Sequence, residues 1–295
     1  MSNDRKNHDR WFKELITHFF EEFIMAFYPK LYEEIDFNEL TFLSEELFTD
    51  IIKGVERRVD ILVETKLKGK DVAIIVHTET QAYYQKDFAE RMFIYFSRLY
   101  EKHRKPIIPI AVFSYDERKD EPNMFEISIP TLPIMKFEFL TLELNKKNWR
   151  EYIKDENPVT AALLSKMNYT KTEQGELKRE FFRMLIKLET RYDKARMALI
   201  SGFFECYLPI NLNEDVQLLE KDERVKVVEL MNSWQRKGFE EGIERGIEEG
   251  IQKGIEKERK EMIFRLLDQG CDMKTITTVT QLSEKEVKKI ILENK

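Results

Sequence analysis

The sequence predicts a mixed α/β core in its first half and a helical C-terminal region after it. Three observations carry this reading. Hydrophobic spacing starts helical over 8–28, turns to short β-branched runs over 55–65 and 71–81, and becomes helical again over 86–104. Three more strand segments follow up to about Leu144. From Asn157 onward the pattern is helical, apart from a glycine repeat.

The elements follow in order. In HDRWFKELITHFFEEFIMAFY, Phe12, Leu15, Phe19, Phe23 and Phe27 fall at spacings of three and four, which predicts one amphipathic helix stopped by Pro29. VERRVDILVET and DVAIIVHTETQ, with Lys68, Gly69 and Lys70 between them, read as a β-hairpin. KDFAERMFIYFSRLYEKHR is a second amphipathic helix bounded by Pro106. IIPIAVFSYD, MFEISIP and MKFEFLTLEL are the further strands. Residues 177–204 and 215–234 carry most of the later helix, with a break at Leu208-Pro209.

Gly238, Gly242, Gly246, Gly250 and Gly254 then recur every fourth residue, and Ile243, Ile247, Ile251 and Ile255 follow four of them. Interior glycine costs a helix roughly 0.8–1.0 kcal/mol relative to alanine. Close approach of a partner helix would offset that, so the repeat predicts a homodimer or higher homo-oligomer. Its acidic and basic side chains balance, which makes it a poor nucleic-acid arm. The expected domains are a core at 1–150, a helical region at 151–235, the repeat at 236–260 and a three-helix, helix-turn-helix-like tail at 261–295. Lysines 285, 288 and 289 are that tail's main polar contacts, so a structural or partner-binding role competes with DNA reading.

Composition narrows the function classes. With 42% hydrophobic and 12% aromatic residues, the 295-residue chain can bury a core, so wholesale disorder is excluded. No run approaches the ~20 apolar residues of a membrane span. The N-terminus, MSNDRKNHDRW, lacks the apolar stretch of a secretory signal, and a cytoplasmic protein is expected. Cys206 and Cys271 are too few for a disulfide framework or a four-thiolate zinc site. A net charge of -6 excludes a globally basic nucleic-acid binder but leaves room for a local basic groove.

The hairpin holds the candidate chemistry. With Gly69-Lys70 at the centre of the turn, Val63 faces Val76, Ile61 faces Thr78, and Asp60 lies directly across from Glu79. Cβ atoms so opposed are roughly 4.5–5.5 Å apart. Two carboxylates at that spacing repel unless a cation joins them, and hard oxygen donors suit Mg²⁺ or Mn²⁺. The plain alternative is a solvated strand face. On the second helix Arg91, Tyr95, Arg98 and Lys102 form a stripe opposite Phe88, Met92, Phe96 and Leu99, either for phosphate contact or as an ordinary polar face. His77 shares the alternate set of strand positions with Glu79 and could support a metal or phosphate, or serve as a structural histidine.

These residues carry a family resemblance. Asp60, a hairpin, then Glu79-Thr80-Gln81 and a helix resemble the PD-(D/E)xK nuclease core. More narrowly, HDRWFKEL at 8–15, RRVDILV at 57–63, HTETQ at 77–81 and FAERMFIYFSRLY at 88–100 resemble the Rpn family of bacterial recombination-promoting nucleases, also described as transposases. The resemblance covers about residues 8–145, and the glycine repeat and tail are similar as well. It implies a restriction-endonuclease-like core and a metal-dependent DNA endonuclease linked to recombination or mobile elements. In that scheme Asp60 and Glu79 hold the metal, Gln81 completes the catalytic set, and Glu14 is the candidate upstream acid. The superfamily pattern ends in Lys where this chain has Gln81, and a neutral amide cannot offset charge on the phosphate as an ammonium does. The competing expectation is therefore a weak or inactive nuclease-fold protein that binds DNA or a protein partner.

Overall fold

A computed structural model of the chain describes residues 2–43, 47–49, 56–58, 61–79, 88–115, 120, 122–232, 262–263, 266, 273–280 and 287. Met1–Met231 form one compact unit and Asn232–Lys295 a second. The protein is mixed α/β, with its main sheet flanked by helices. Among the described residues no helix is long and apolar enough to cross a membrane.

The first unit opens with α1 (Ser2–His18), α2 (Phe20–Phe27) and the single turn α3 (Pro29–Tyr32). The single helix expected over 8–28 is interrupted at Phe19, whose backbone leaves the helical region at φ -133° and ψ 43°. Phe12, Leu15, Ile16, Phe19, Phe20 and Phe23 are all buried across this bend. As expected, the helix stops ahead of Pro29: α2 ends at Phe27 and Tyr28 leaves the helical region at φ -136° and ψ 58°. Pro29 then begins α3, because its fixed φ and missing N–H suit a first helical position.

The main sheet holds β1 (Ile35–Leu43), β4 (Ile61–Leu67), β5 (Lys70–Glu79), β6 (Ile107–Phe113) and β9 (Leu140–Glu143), in that order. β1, β4 and β5 are antiparallel neighbours, whereas β6 and β9 run parallel to β5. The sequence reading missed β1, an edge strand with Asp36, Asn38 and Glu39 in it and an irregular register between Asp36 and Thr41. Two separate two-stranded ribbons are formed by β2 (Leu47–Thr49) with β3 (Glu56–Arg58), and by β7 (Met124–Ile129) with β8 (Leu132–Glu138). The helix α4 (Phe88–His103) joins β5 to β6.

Alternation along β6 assigns the two sheet faces. Ile107, Ala111 and Phe113, with Leu62 of β4, cluster with Phe88, Met92 and Leu99 of α4. Ser114, of the other set, meets His8 of α1. Nearly all of β6 is buried, as expected for a parallel strand covered on both sides.

After β9 come α5 (Pro158–Leu163), α6 (Gln174–Leu188), α7 (Lys194–Tyr207) and α8 (Leu212–Asp215), and residues 221–232 are helical. The long helix expected over 177–204 is two helices. Asp193 accepts a hydrogen bond from the Arg196 N–H at 2.9 Å and caps α7, so the chain restarts there without Gly or Pro. The later helices pack back on the N-terminal ones: Phe12 meets Phe203 edge-on at 4.9 Å, and Asn157 donates to the Glu22 carbonyl at 2.8 Å.

Gly202 of α7 lies under the Trp11 ring, where a Cβ would stand 2.7 Å from Cη2. Gly202→Ala should gain about 1 kcal/mol of helix propensity and lose about 1–3 kcal/mol to overpacking. The expected result in urea unfolding is net destabilisation of about 1 kcal/mol with Trp11 present. In a Trp11→Ala background the same change should stabilise, because the overlap is gone; stabilisation in both backgrounds would refute the contact.

Near the start of α6, Thr170 and Glu173 form a capping box. Arg150 bonds both Glu173 and, at 2.6 Å, Glu176. The Arg150 guanidinium, and after it the Thr170 N–H and hydroxyl, hold the Glu173 carboxyl down to about 2. A depressed carboxyl stabilises the fold above its unfolded value, and that contribution disappears as pH falls through the folded one. The Tm gap between wild type and Glu173→Gln should therefore be constant above pH ~5 and close between pH ~4.5 and ~2. A gap that persists at the acid end would exclude this linkage.

In the second unit the helix Met273–Thr280 contributes Ile276 to a small cluster with Ile263 and Val287, against which Leu266 and Met273 pack. The glycine repeat at 236–260 and most of the tail lie outside the described residues.

Candidate functional site

The hairpin of β4 and β5 turns on Lys68-Gly69, both with positive φ, 48° and 79°. Two left-handed residues make the two-residue turn whose twist matches that of the strands, and glycine is favoured at its second position. The Lys68 N–H donates to the Glu34 carbonyl at 3.0 Å, and its ammonium meets the Glu34 carboxylate at 2.5 Å. The turn expected at Gly69-Lys70 would have put lysine where glycine serves best.

This corrects the register. Leu67 pairs with Lys70, Val63 with Ile74, and Ile61 with Val76, so Val63 does not face Val76. The pairing that would set Asp60 directly across from Glu79 is not the one this ladder follows. Asp60 and Gln81 lie outside the described residues, and the described ladder ends at Ile61 and Val76.

Glu79 is the last residue of β5, and its backbone is in register with Phe113, the last residue of parallel β6. His77 is in register with Ala111. Both positions belong to the alternate set that includes Ala73, the partner of Glu64 on β4 and of Ile107 on β6. Position 79 thus terminates the strand where two parallel strands end together.

Glu14, the candidate upstream acid, projects from α1, and its carboxylate accepts from Arg10 Nε at 2.7 Å. It is 38% exposed, on a helix whose other side buries Phe12 and Leu15. Among the described contacts, Glu14 is engaged along its own helix.

The stripe on α4 is narrower than expected. Tyr95 is only 4% exposed and belongs to the core with Phe88, Met92 and Leu99. That burial corrects its reading as a phosphate contact, since its ring fills the space between helix and sheet. Arg91 sits with its guanidinium 5.4 Å from the Phe88 ring centre. Arg98 is half-buried and Lys102 exposed. At the helix end, Lys105 and His103 both reach Glu64 of β4, at 3.1 and 3.4 Å.

The sequence reading gave His8 no role. Its Nε2 lies 3.0 Å from the Ser114 hydroxyl, and its Nδ1 bonds the Tyr207 hydroxyl. Ser114 directly follows the carboxyl end of β6, so His8 ties α1 to that end of the sheet and to α7. The only sequence signal was the presence of His8 in HDRWFKEL.

Two clefts carry the wrong sign for a phosphate. One of about 700 Å³ is lined by Glu21, Glu22, Asp155 and Glu156 against Lys154 and Arg191. Its Tyr192 donates to Glu22 at 2.9 Å and is pushed up to about 12, first by burial and then by that carboxylate. The other, near the hairpin turn, sets Glu21, Glu34 and Asp36 against Lys68. Among the described residues no group of three or more His, Cys, Asp or Glu side chains is placed to hold a metal ion. Comparison with known protein families, with curated proteins and with solved structures finds no match for the chain.

Proposed function

We propose that the protein is a Mg²⁺- or Mn²⁺-dependent DNA endonuclease with a restriction-endonuclease-like core, linked to recombination or mobile elements as its resemblance to the Rpn family implies. The observation that carries the reading is the order of elements around Glu79. An antiparallel β1-β4-β5 meander ends at Glu79, and α4 then leads to β6, which lies parallel beside β5. Ligands of open α/β sheets favour the carboxyl ends of such strands.

The donor set fits the metal: Asp60, Glu79 and Gln81 offer hard oxygen atoms, suited to Mg²⁺ or Mn²⁺ rather than to a thiolate metal. Asp60 and Glu79 would hold the ion, which when bound supplies phosphate polarisation and a water of lowered pKa. Gln81 would hydrogen-bond to a phosphate oxygen without adding charge. Arg91, Arg98 and Lys102 remain the phosphate contacts proposed on α4, without Tyr95.

Gln81 favours the second reading, a slow or inactive nuclease fold that still binds DNA, because the developing negative charge lacks a lysine. Incubating the purified full chain with supercoiled plasmid separates the two. Nicking with Mg²⁺ or Mn²⁺ that chelation stops supports the endonuclease; retention of the plasmid in a binding assay without nicking supports the second reading.

A further inference from the structure

The β7–β8 ribbon is rooted in aromatic contacts and bare at its far end. At the root, Phe125 and Phe137 lie 5.5 and 5.6 Å from the Phe93 ring, and Phe96 meets Phe137 at 5.0 Å with the rings tilted by 49°. Beyond a register shift after Ile127, Ser128 pairs with Pro133 and Ile129 with Leu132. There Ile127, Ile129, Leu132 and Ile134 are 42%, 51%, 55% and 54% exposed, with Met124 at 40% nearer the root. The four far-end side chains amount to about 350 Å² of exposed surface, the size of the largest apolar patch on many monomers, which is often functional. A two-stranded ribbon is also marginal by itself and needs cover.

We propose that the far half of this ribbon is a self-association arm that packs against the same arm of a second copy of the chain about a two-fold axis. Charge selects the occupant. Residues 127–135, ISIPTLPIM, hold no ionisable side chain, in a chain that is 35% charged with a net charge of -6. Two copies repel over most of their surface but can meet here without opposing like charges. With no Lys or Arg in this stretch, there is nothing to neutralise phosphates, which argues against nucleic acid as the occupant.

The size of the patch sets the strength of the contact: two arms together cover about 700 Å², which makes a weak, reversible interface. Pro130 and Pro133 lack N–H donors, so the arm associates by packing side chains rather than by open-ended strand addition, and a two-fold contact closes on itself. This proposal does not depend on the nuclease reading, nor on any contact through the glycine repeat.

The test uses the full chain with Cys206→Ser, Cys271→Ser and Thr131→Cys, at the exposed tip of the arm, treated with a bifunctional maleimide. A covalent dimer is expected, and adding Ile129→Asp with Leu132→Asp should abolish it, since both positions are already solvent-facing and tolerate charge in the monomer. By sedimentation equilibrium the Asp pair should weaken dimerisation at least ~100-fold, with an unchanged circular dichroism spectrum. Absence of the cross-link in the Thr131→Cys chain, or a cross-link that survives the Asp pair, overturns the proposal. The first outcome would indicate a different occupant, and the second a dimer held elsewhere.

Discussion

Asp60→Ala and Glu79→Ala are each expected to reduce metal-dependent nicking of supercoiled plasmid by on the order of 10³-fold, because a metal is worth several kcal/mol to such a transition state. The two carboxylates are proposed to hold one ion, so the double variant should be scarcely worse than either single one. Asp60→Asn and Glu79→Gln keep size but remove charge, and should lose nearly as much. Far-ultraviolet circular dichroism and the unfolding midpoint are the folding controls. Unchanged nicking in both alanine variants, with a mock purification inactive, would remove the endonuclease assignment from this hairpin. Activity lost in Glu79→Ala alone would instead indicate a site built on β5 without Asp60.

The largest stability effect is expected at Phe204. Its ring stacks on Phe181 at 3.7 Å between centroids and 7° between planes, and both side chains are fully buried where α6 meets α7. Phe204→Ala removes an aromatic ring from a site enclosed by two helices and should cost about 3–5 kcal/mol. That is a large share of the 5–15 kcal/mol that typically separates folded from unfolded states. Urea unfolding should show a lower midpoint, with Phe204→Leu losing distinctly less because it fills more of the cavity. A loss below 1 kcal/mol for Phe204→Ala would mean that the two helices collapse onto the vacated space.

Several elements were legible in the residues because each rests on local spacing. The helix expected over 86–104 forms as Phe88–His103, and the segments IIPIAVF and MFEISI are strands. The face of α4 could also have been read more fully. Phe88, Met92, Tyr95 and Leu99 have the i, i+4, i+7, i+11 spacing of a buried stripe, and so do Arg91, Tyr95, Arg98 and Lys102. Tyr95 belongs to both, and its ring went to the apolar side because the sheet offers a large contact there.

Glu79 and its neighbours illustrate the boundary between the two sources of information. The residues alone determined that an acid ends an apolar strand and that a helix follows, since composition and period are properties of the chain itself. They left the register of the hairpin open, because Gly69 could occupy either central position of the turn and each choice preserves the alternation of side chains. The contact of Lys68 with Glu34 and the twist of β4 on β5 selected Lys68-Gly69. Likewise, local spacing predicted helices after residue 157 but not that α7 would lie across α1, where Phe203 meets Phe12 and Gly202 admits Trp11. Those pairings join residues nearly two hundred positions apart, and burial of apolar surface specifies that such faces be covered without naming the partner. Only the closed three-dimensional packing of the chain decides which face covers which.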